Sequence, residues 1–140
     1  MQTQCIRIPL RPEHAETFIA FARSLAEDPR TLAEVLFEED MHTELVFIDR
    51  TPDELAVVLF TRAPDLAAAH AVLERSEHPV QIRMRALSAQ AFDLSDARVL
   101  DVVIDYDRPA VVQSAAAAKF LQMEADWEAA RLLTLQAAWM

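Results

Sequence analysis

The chain has 140 residues and contains neither glycine nor asparagine. These are the two residues that enter left-handed backbone most easily, so turns have to rely on Pro, Asp and Ser. The gap also limits chemistry. A phosphate-cradling P-loop, a dinucleotide fingerprint and a nucleophile elbow all need glycine where backbone approaches ligand or turns sharply. Nucleotide-dependent reactions of the common kinds are therefore excluded, and no cofactor is expected.

Hydrophobic residues make up 53% of the chain and charged ones 26%, the balance of a folded globular domain. No apolar run approaches the about 18 residues that a membrane span needs. The start, "MQTQCIRIPL", lacks the basic-then-apolar layout of an export signal. Cys5 is the single cysteine, which rules out an internal disulfide and fits a reducing, cytoplasmic setting. The formal charge is −10, from 23 acids against 13 bases. Nucleic acid and anionic membranes recruit basic patches, so neither is an expected partner. Twelve of the 13 bases are arginine, which with the abundant alanine suggests a GC-rich bacterial genome.

Periodicity divides the chain into strands and helices. "TQCIRIPL" alternates as a first strand, with Gln4, Ile6, Ile8 and Leu10 on one face and Cys5 and Arg7 on the other. "RPEHAETFIAFARSLAE" follows as a helix opened by Pro12, and Asp28-Pro29 bends it into a second piece, "PRTLAEVLFEED". "TELVFIDR" and "ELAVVLFTR" make a hairpin across Thr51-Pro52-Asp53. "PDLAAAHAVLERSEHP" is helical, as is "VQIRMRALSAQAF", and "ARVLDVVIDYD" reads as the fourth strand. Pro109 to Met140 is expected to be one long helix beyond a domain of residues 1–108. One of its apolar stripes holds Phe120, Met123, Trp127 and Ala130; the other holds Leu121, Leu132, Leu135 and Trp139. Such a helix contacts its own domain on one side and a partner or a cavity on the other.

The order β-α-β-β-α-β is that of a ferredoxin-like α+β fold, with strand order 4-1-3-2 and helices on one face. Alternation then assigns an open face. It places there Cys5, Arg7, Glu44, Val46, Ile48, Ala56, Val58, Phe60, Arg62, Asp101, Val103 and Asp105. That set is too apolar for water and too charged for a core. Two sheets facing each other in a homodimer resolve the conflict by enclosing a partly polar cavity. Glu44, Arg7, Arg62 and Asp101 are its candidate binding residues, with Arg7 or Arg62 as partner to Glu44. The plainer alternative is an exposed cross-strand pair of Arg7 with Asp101.

The segments "CIRIPLRPEHAETF" and "TELVFIDR…DELAVVLFTRAPDLAAAHAVLERSEHP" resemble an uncharacterised family of small bacterial proteins. That group is similar to the dimeric α+β barrel superfamily, which also holds the antibiotic-biosynthesis monooxygenases. The resemblance covers about residues 4–106 and implies a dimer of facing sheets. Glu44 and Phe47 match the family's E-x-x-F strand pattern, and Ser76-Glu77-His78-Pro79 matches its S-x-H-P turn. Where the family continues with an acid and then a histidine, this chain has Gln81 and Met84. Asp40 stands where the family has a glycine after the first helical arm.

Other constellations carry less. His70, Glu74 and His78 fall four apart, yet Pro79 disfavours helix at His78, so a metal site is not expected. His42-Thr43-Glu44 lacks the paired cysteines of a zinc deaminase. Cys5 has no strand-borne histidine to activate it and reads as a small buried hydrophobe. The expected function is binding of a small organic ligand or a partner in the cavity. The alternative is a cofactor-independent oxygenase or isomerase.

Overall fold

The computed structural model describes residues 1–107 and 115–139. Met1–Asp105 and Tyr106–Met140 are separate compact units. The first contains β1 (Gln2–Pro9), α1 (Pro12–Ala26), α2 (Pro29–Glu38), β2 (Thr43–Arg50), β3 (Leu55–Ala63), α3 (Leu66–Arg75), α4 (Pro79–Ala91) and β4 (Arg98–Val99). The second contains α5 (Ala115–Trp139). The strands form one antiparallel sheet ordered β2-β3-β1-β4. This is the ferredoxin-like arrangement expected from the element order.

α1 to α4 each begin at a proline or a side-chain cap. Pro12 and Pro29 open α1 and α2, where a missing N–H costs nothing. The Asp28 carboxylate accepts from the Thr31 N–H at 3.2 Å, and that of Asp65 accepts from Ala68 at 3.0 Å. His78 lies outside the helix in extended conformation and caps α4 through Nδ1, which accepts from Val80 N–H. The β2–β3 hairpin closes without glycine: Thr51 N–H donates to the Glu54 carbonyl, and the Thr51 hydroxyl accepts from Glu54 N–H.

α1 and α4 cover one face of the sheet. Ile8, Leu10, Ala15, Phe18, Ile19, Val57, Leu87 and Ala91 form the buried core there. Phe18 meets Phe92 edge-on, with centroids 5.0 Å apart. A smaller cluster of Met41, Ala63 and Ala69 packs with Leu36 and Leu66.

The register corrects the sequence assignment of β2. Glu44 lies opposite Thr61, Val46 opposite Leu59 and Ile48 opposite Val57. Paired residues share a face, so Glu44, Val46 and Ile48 lie on the helix-covered side. Ile48 packs against the core there. The open face carries Leu45, Phe47 and Asp49 in their place, beside Phe60, Val58 and Ala56. Both parities of "TELVFIDR" are apolar, so alternation alone had no way to choose.

The fourth strand is also shorter than expected. β4 is the pair Arg98–Val99, set against Arg7 and Ile6, and residues 100–107 continue outside the sheet. Asp105 pairs with Arg62 of β3 at 3.3 Å.

α5 is 25 residues long, roughly 37 Å of helix, with Met123, Trp127, Leu132 and Leu133 exposed. Residues 108–114 and 140 of the expected long helix lie outside the described residues, as do the side chains of Phe120, Leu121, Leu135 and Trp139. Among the described residues no helix is long and apolar enough to cross a membrane.

Candidate functional site

β2 is an edge strand, and its helix-facing side is not filled by the core. Glu44, Val46 and Ile48 look across at Ile19, Ala22 and Leu25 of α1 and at Leu32 and Leu36 of α2, with Met84 of α4 behind. A cleft of about 360 Å³ lies between them. Asp28-Pro29 stops α1 and starts α2 separately, so both helices contribute walls. Most of the lining is aliphatic. The polar groups are Glu44 on the strand and Arg23 on the exposed outer side of α1.

Glu44 has no hydrogen-bond or ion-pair partner among the described residues. Its strand position is polar, in the row Glu44–Thr61–Gln4, but the next two rows are Val46–Leu59–Ile6 and Ile48–Val57–Ile8. Glu44 is open to solvent at the cleft, and the apolar groups crowded around its carboxyl push it above the ordinary carboxylate range.

A second carboxyl stands nearby. Glu39, the C-cap of α2, is 8% exposed. Burial pushes its pKa up to about 7; a hydrogen bond donated by Gln81 Nε2 opposes the shift, while the charges of Glu44 and Glu38 add to it. Gln81 is buried on α4, so this bond ties the end of α2 to the start of α4. Glu38 accepts from the Ser76 hydroxyl at 2.9 Å, and Ser76 Oγ accepts from His78 N–H at 3.2 Å. Arg85 Nη1 donates to the Leu73 and Ser76 carbonyls at 2.7 and 2.8 Å, fixing the turn. With Nδ1 accepting a backbone bond, His78 presents Nε2 to Glu34 at 3.4 Å. The arrangement sets an accessible carboxyl, unpaired among the described residues, on the wall of an apolar chamber, with a second carboxyl poised near neutrality behind it.

The four residues singled out from the sequence do not converge. Glu44 lines the cleft. Arg7 is on the open face, where Nε donates to Asp49 at 3.1 Å and Nη2 to Glu54 at 2.8 Å. Arg62 shares that face and pairs with Asp105. Neither arginine reaches Glu44, because the sheet lies between them. Asp101 is exposed beyond β4, and the expected Arg7–Asp101 pair gives way to the pairs with Asp49 and Glu54. Cys5 is half-buried on the open face rather than fully enclosed. His70 and Glu74 lie on α3 while His78 lies beyond its end. Among the described residues no group of three or more His, Cys, Asp or Glu is placed to hold a metal ion.

Glu39, and the walls from α1 and α2, were missed in the sequence. The one available pointer was the S-x-H-P turn, after which Gln81 and Met84 fall where the family carries ionisable residues. Gln81 bonds Glu39, and Met84 lines the cleft.

Comparison with known proteins gives three findings. The sequence profile of a family of unknown function (DUF6176) matches residues 1–109. No curated protein matches the chain. Among solved structures, the chain is similar to Rv0793 from Mycobacterium tuberculosis, with 15% identity over 75% of this chain and 97% of that one and a TM-score of 0.48. It is also similar to a protein described as an antibiotic biosynthesis monooxygenase, with 19% identity over 74% and 100% of the two chains and a TM-score of 0.45.

Proposed function

The chain belongs to the DUF6176 family, and we propose that it binds a small, largely apolar organic molecule in the cleft between α1, α2 and β2. The observation that carries this reading is the lone carboxyl of Glu44 on an otherwise aliphatic wall. Small-molecule sites are typically apolar chambers of roughly 300–1,000 Å³ with a few polar groups that fix orientation. The cleft's about 360 Å³ sits at the lower end of that range. Glu44 contacts the ligand's polar group, and the helical walls hold its body. Arg7 and Arg62 serve the open face of the sheet, which pairs with that of a second copy.

A proton-transferring enzyme, such as a cofactor-independent isomerase or oxygenase, is the second reading. Glu39 favours it, since a carboxyl titrating at about 7 can both give and take a proton under ordinary conditions. Mass analysis of the molecule recovered after incubation separates the two: a binder returns it unchanged, an enzyme returns a product.

The neutral fluorophore N-phenyl-1-naphthylamine tests the cleft directly. Wild type is expected to enhance its emission saturably. Ala22→Trp, which fills the cleft from α1, is expected to weaken binding by about tenfold or more while circular dichroism stays native. Equal affinity in a folded Ala22→Trp protein, or no binding by wild type, overturns the reading.

A further inference from the structure

We infer that the cleft selects ligands whose apolar body carries an amine, with the ammonium held against Glu44. This rests on the cleft being a ligand site and adds the class of head group it takes.

Glu44 lines the cleft with no partner among the described residues, and Glu39 behind it is bonded by Gln81, a neutral donor. Two carboxyls thus act on one another, with no cation between them among the described residues. The charged groups on the neighbouring elements are otherwise engaged or outward-facing. Glu34 faces His78, and Glu38 takes the Ser76 hydroxyl. On α4, Arg85 is spent on carbonyls and Arg83 stacks over Phe21. Arg23, exposed on α1, is the other charged side chain lining the cleft among the described residues, and against its single charge stand the two carboxyls.

A carboxyl set among aliphatic side chains at a cleft, open to an incoming ligand, gains most from a group that supplies both charge and a hydrogen-bond donor. An ammonium does so, a hydroxyl supplies the donor alone, and a carboxylate supplies neither. The overall charge of −10 favours the same choice, by concentrating cations at the surface and repelling anions. An ammonium beside Glu44 stabilises the ionised form of both carboxyls, so binding releases protons in the range where they are partly protonated. The balance is simple: the ligand arrives as R–NH3⁺, the carboxyl proton leaves to buffer, and no bond in the ligand changes.

Three probes with one body isolate the head group: 1-naphthylmethylamine, 1-naphthalenemethanol and 1-naphthoate. Each competes with N-phenyl-1-naphthylamine on the full chain at mildly alkaline pH. The amine is expected to bind about tenfold or more tighter than the alcohol, with the naphthoate weakest. In Glu44→Gln the amine-to-alcohol ratio is expected to fall to within about threefold of one. Calorimetry at neutral pH in buffers of different ionisation enthalpy should report proton release with the amine and none with the alcohol. Equal binding of amine and alcohol overturns amine selection, as does preference for the naphthoate, which would assign the choice to Arg23. In both cases fluorophore binding persists and the cleft remains a site. If neither the fluorophore nor any probe binds, the site and the selectivity fail together.

Discussion

Glu39 is a side chain whose placement costs the fold stability. It is a carboxyl buried at a helix end, and two neighbouring acids oppose its ionisation. Its folded pKa of about 7 lies above the ordinary value of 4.5. The unfolded chain therefore releases its proton first as pH rises. The group's contribution is most favourable below the unfolded value, declines between the two, and levels off above about 7 at a loss of roughly 3 kcal/mol. Glu39→Gln keeps a carbonyl oxygen to accept from Gln81 and removes the charge. Urea unfolding is expected to show the variant more stable than wild type by about 1–3 kcal/mol at mildly alkaline pH and nearly equal near the ordinary carboxylate pKa. An equal difference at both values would mean that ionisation is not the cause. None of this is visible locally. "EEDMHTE" reads as a solvated helix end, and Glu39 is buried only because α4 returns Gln81 to it from 42 residues further on.

The same corner shows how a chain without glycine ends a helix. Asp40 adopts φ 52°, the left-handed position normally given to glycine. Met41 N–H donates to the Leu36 carbonyl at 2.8 Å and Asp40 N–H to that of Phe37 at 3.1 Å, and Met41 packs with Leu36. That is a complete Schellman cap, with aspartate bearing the strain. Asp40→Gly is expected to raise stability by about 0.5–1 kcal/mol, and Asp40→Val to lower it by about 1–2 kcal/mol. Thermal melts check both, and a stabilising valine would contradict the strain. Asp40 could be anticipated because a missing glycine must be replaced by something. The strands were harder. β1 has one clearly apolar parity, Ile6, Ile8 and Leu10 against Cys5 and Arg7, and through its pairing with β3 the faces of both strands agree with the alternation. β2 is apolar on both, so its face is set by the four-residue loop Thr51–Glu54 that fixes Arg50 opposite Leu55. "ARVLDVVIDYD" leaves the sheet once Leu100 N–H has donated to the Cys5 carbonyl at 2.8 Å, because alternation reports two environments and not a hydrogen-bonded neighbour.

With β2 turned over, the open face becomes more apolar than the sequence suggested. It has ion pairs towards its two ends, Arg7 with Asp49 and Glu54 at one and Arg62 with Asp105 at the other. Between them lie Cys5, Val58, Phe60, Leu45 and Phe47, with Leu45 47% and Phe47 54% exposed. Burying a side chain of this kind contributes about 1.5–3 kcal/mol relative to leaving it in water. A second copy offers the same strip, and a two-fold contact lets each strip cover the other. The proposed homodimer is thus held by its middle against the repulsion of two chains that each carry −10. That opposition makes the assembly testable by salt. Sedimentation at micromolar concentration is expected to give a dimer that tightens as salt rises to about 0.3 M, because screening weakens the repulsion and leaves the apolar strip intact. Phe47→Glu places a charge at the centre of the strip and is expected to yield a folded monomer at every salt concentration. If wild type sediments as a monomer, the facing-sheet assembly is wrong. If it is a dimer that Phe47→Glu leaves unchanged, the contact lies elsewhere on the chain, and the exposed Met123, Trp127, Leu132 and Leu133 of α5 become the surface to mutate.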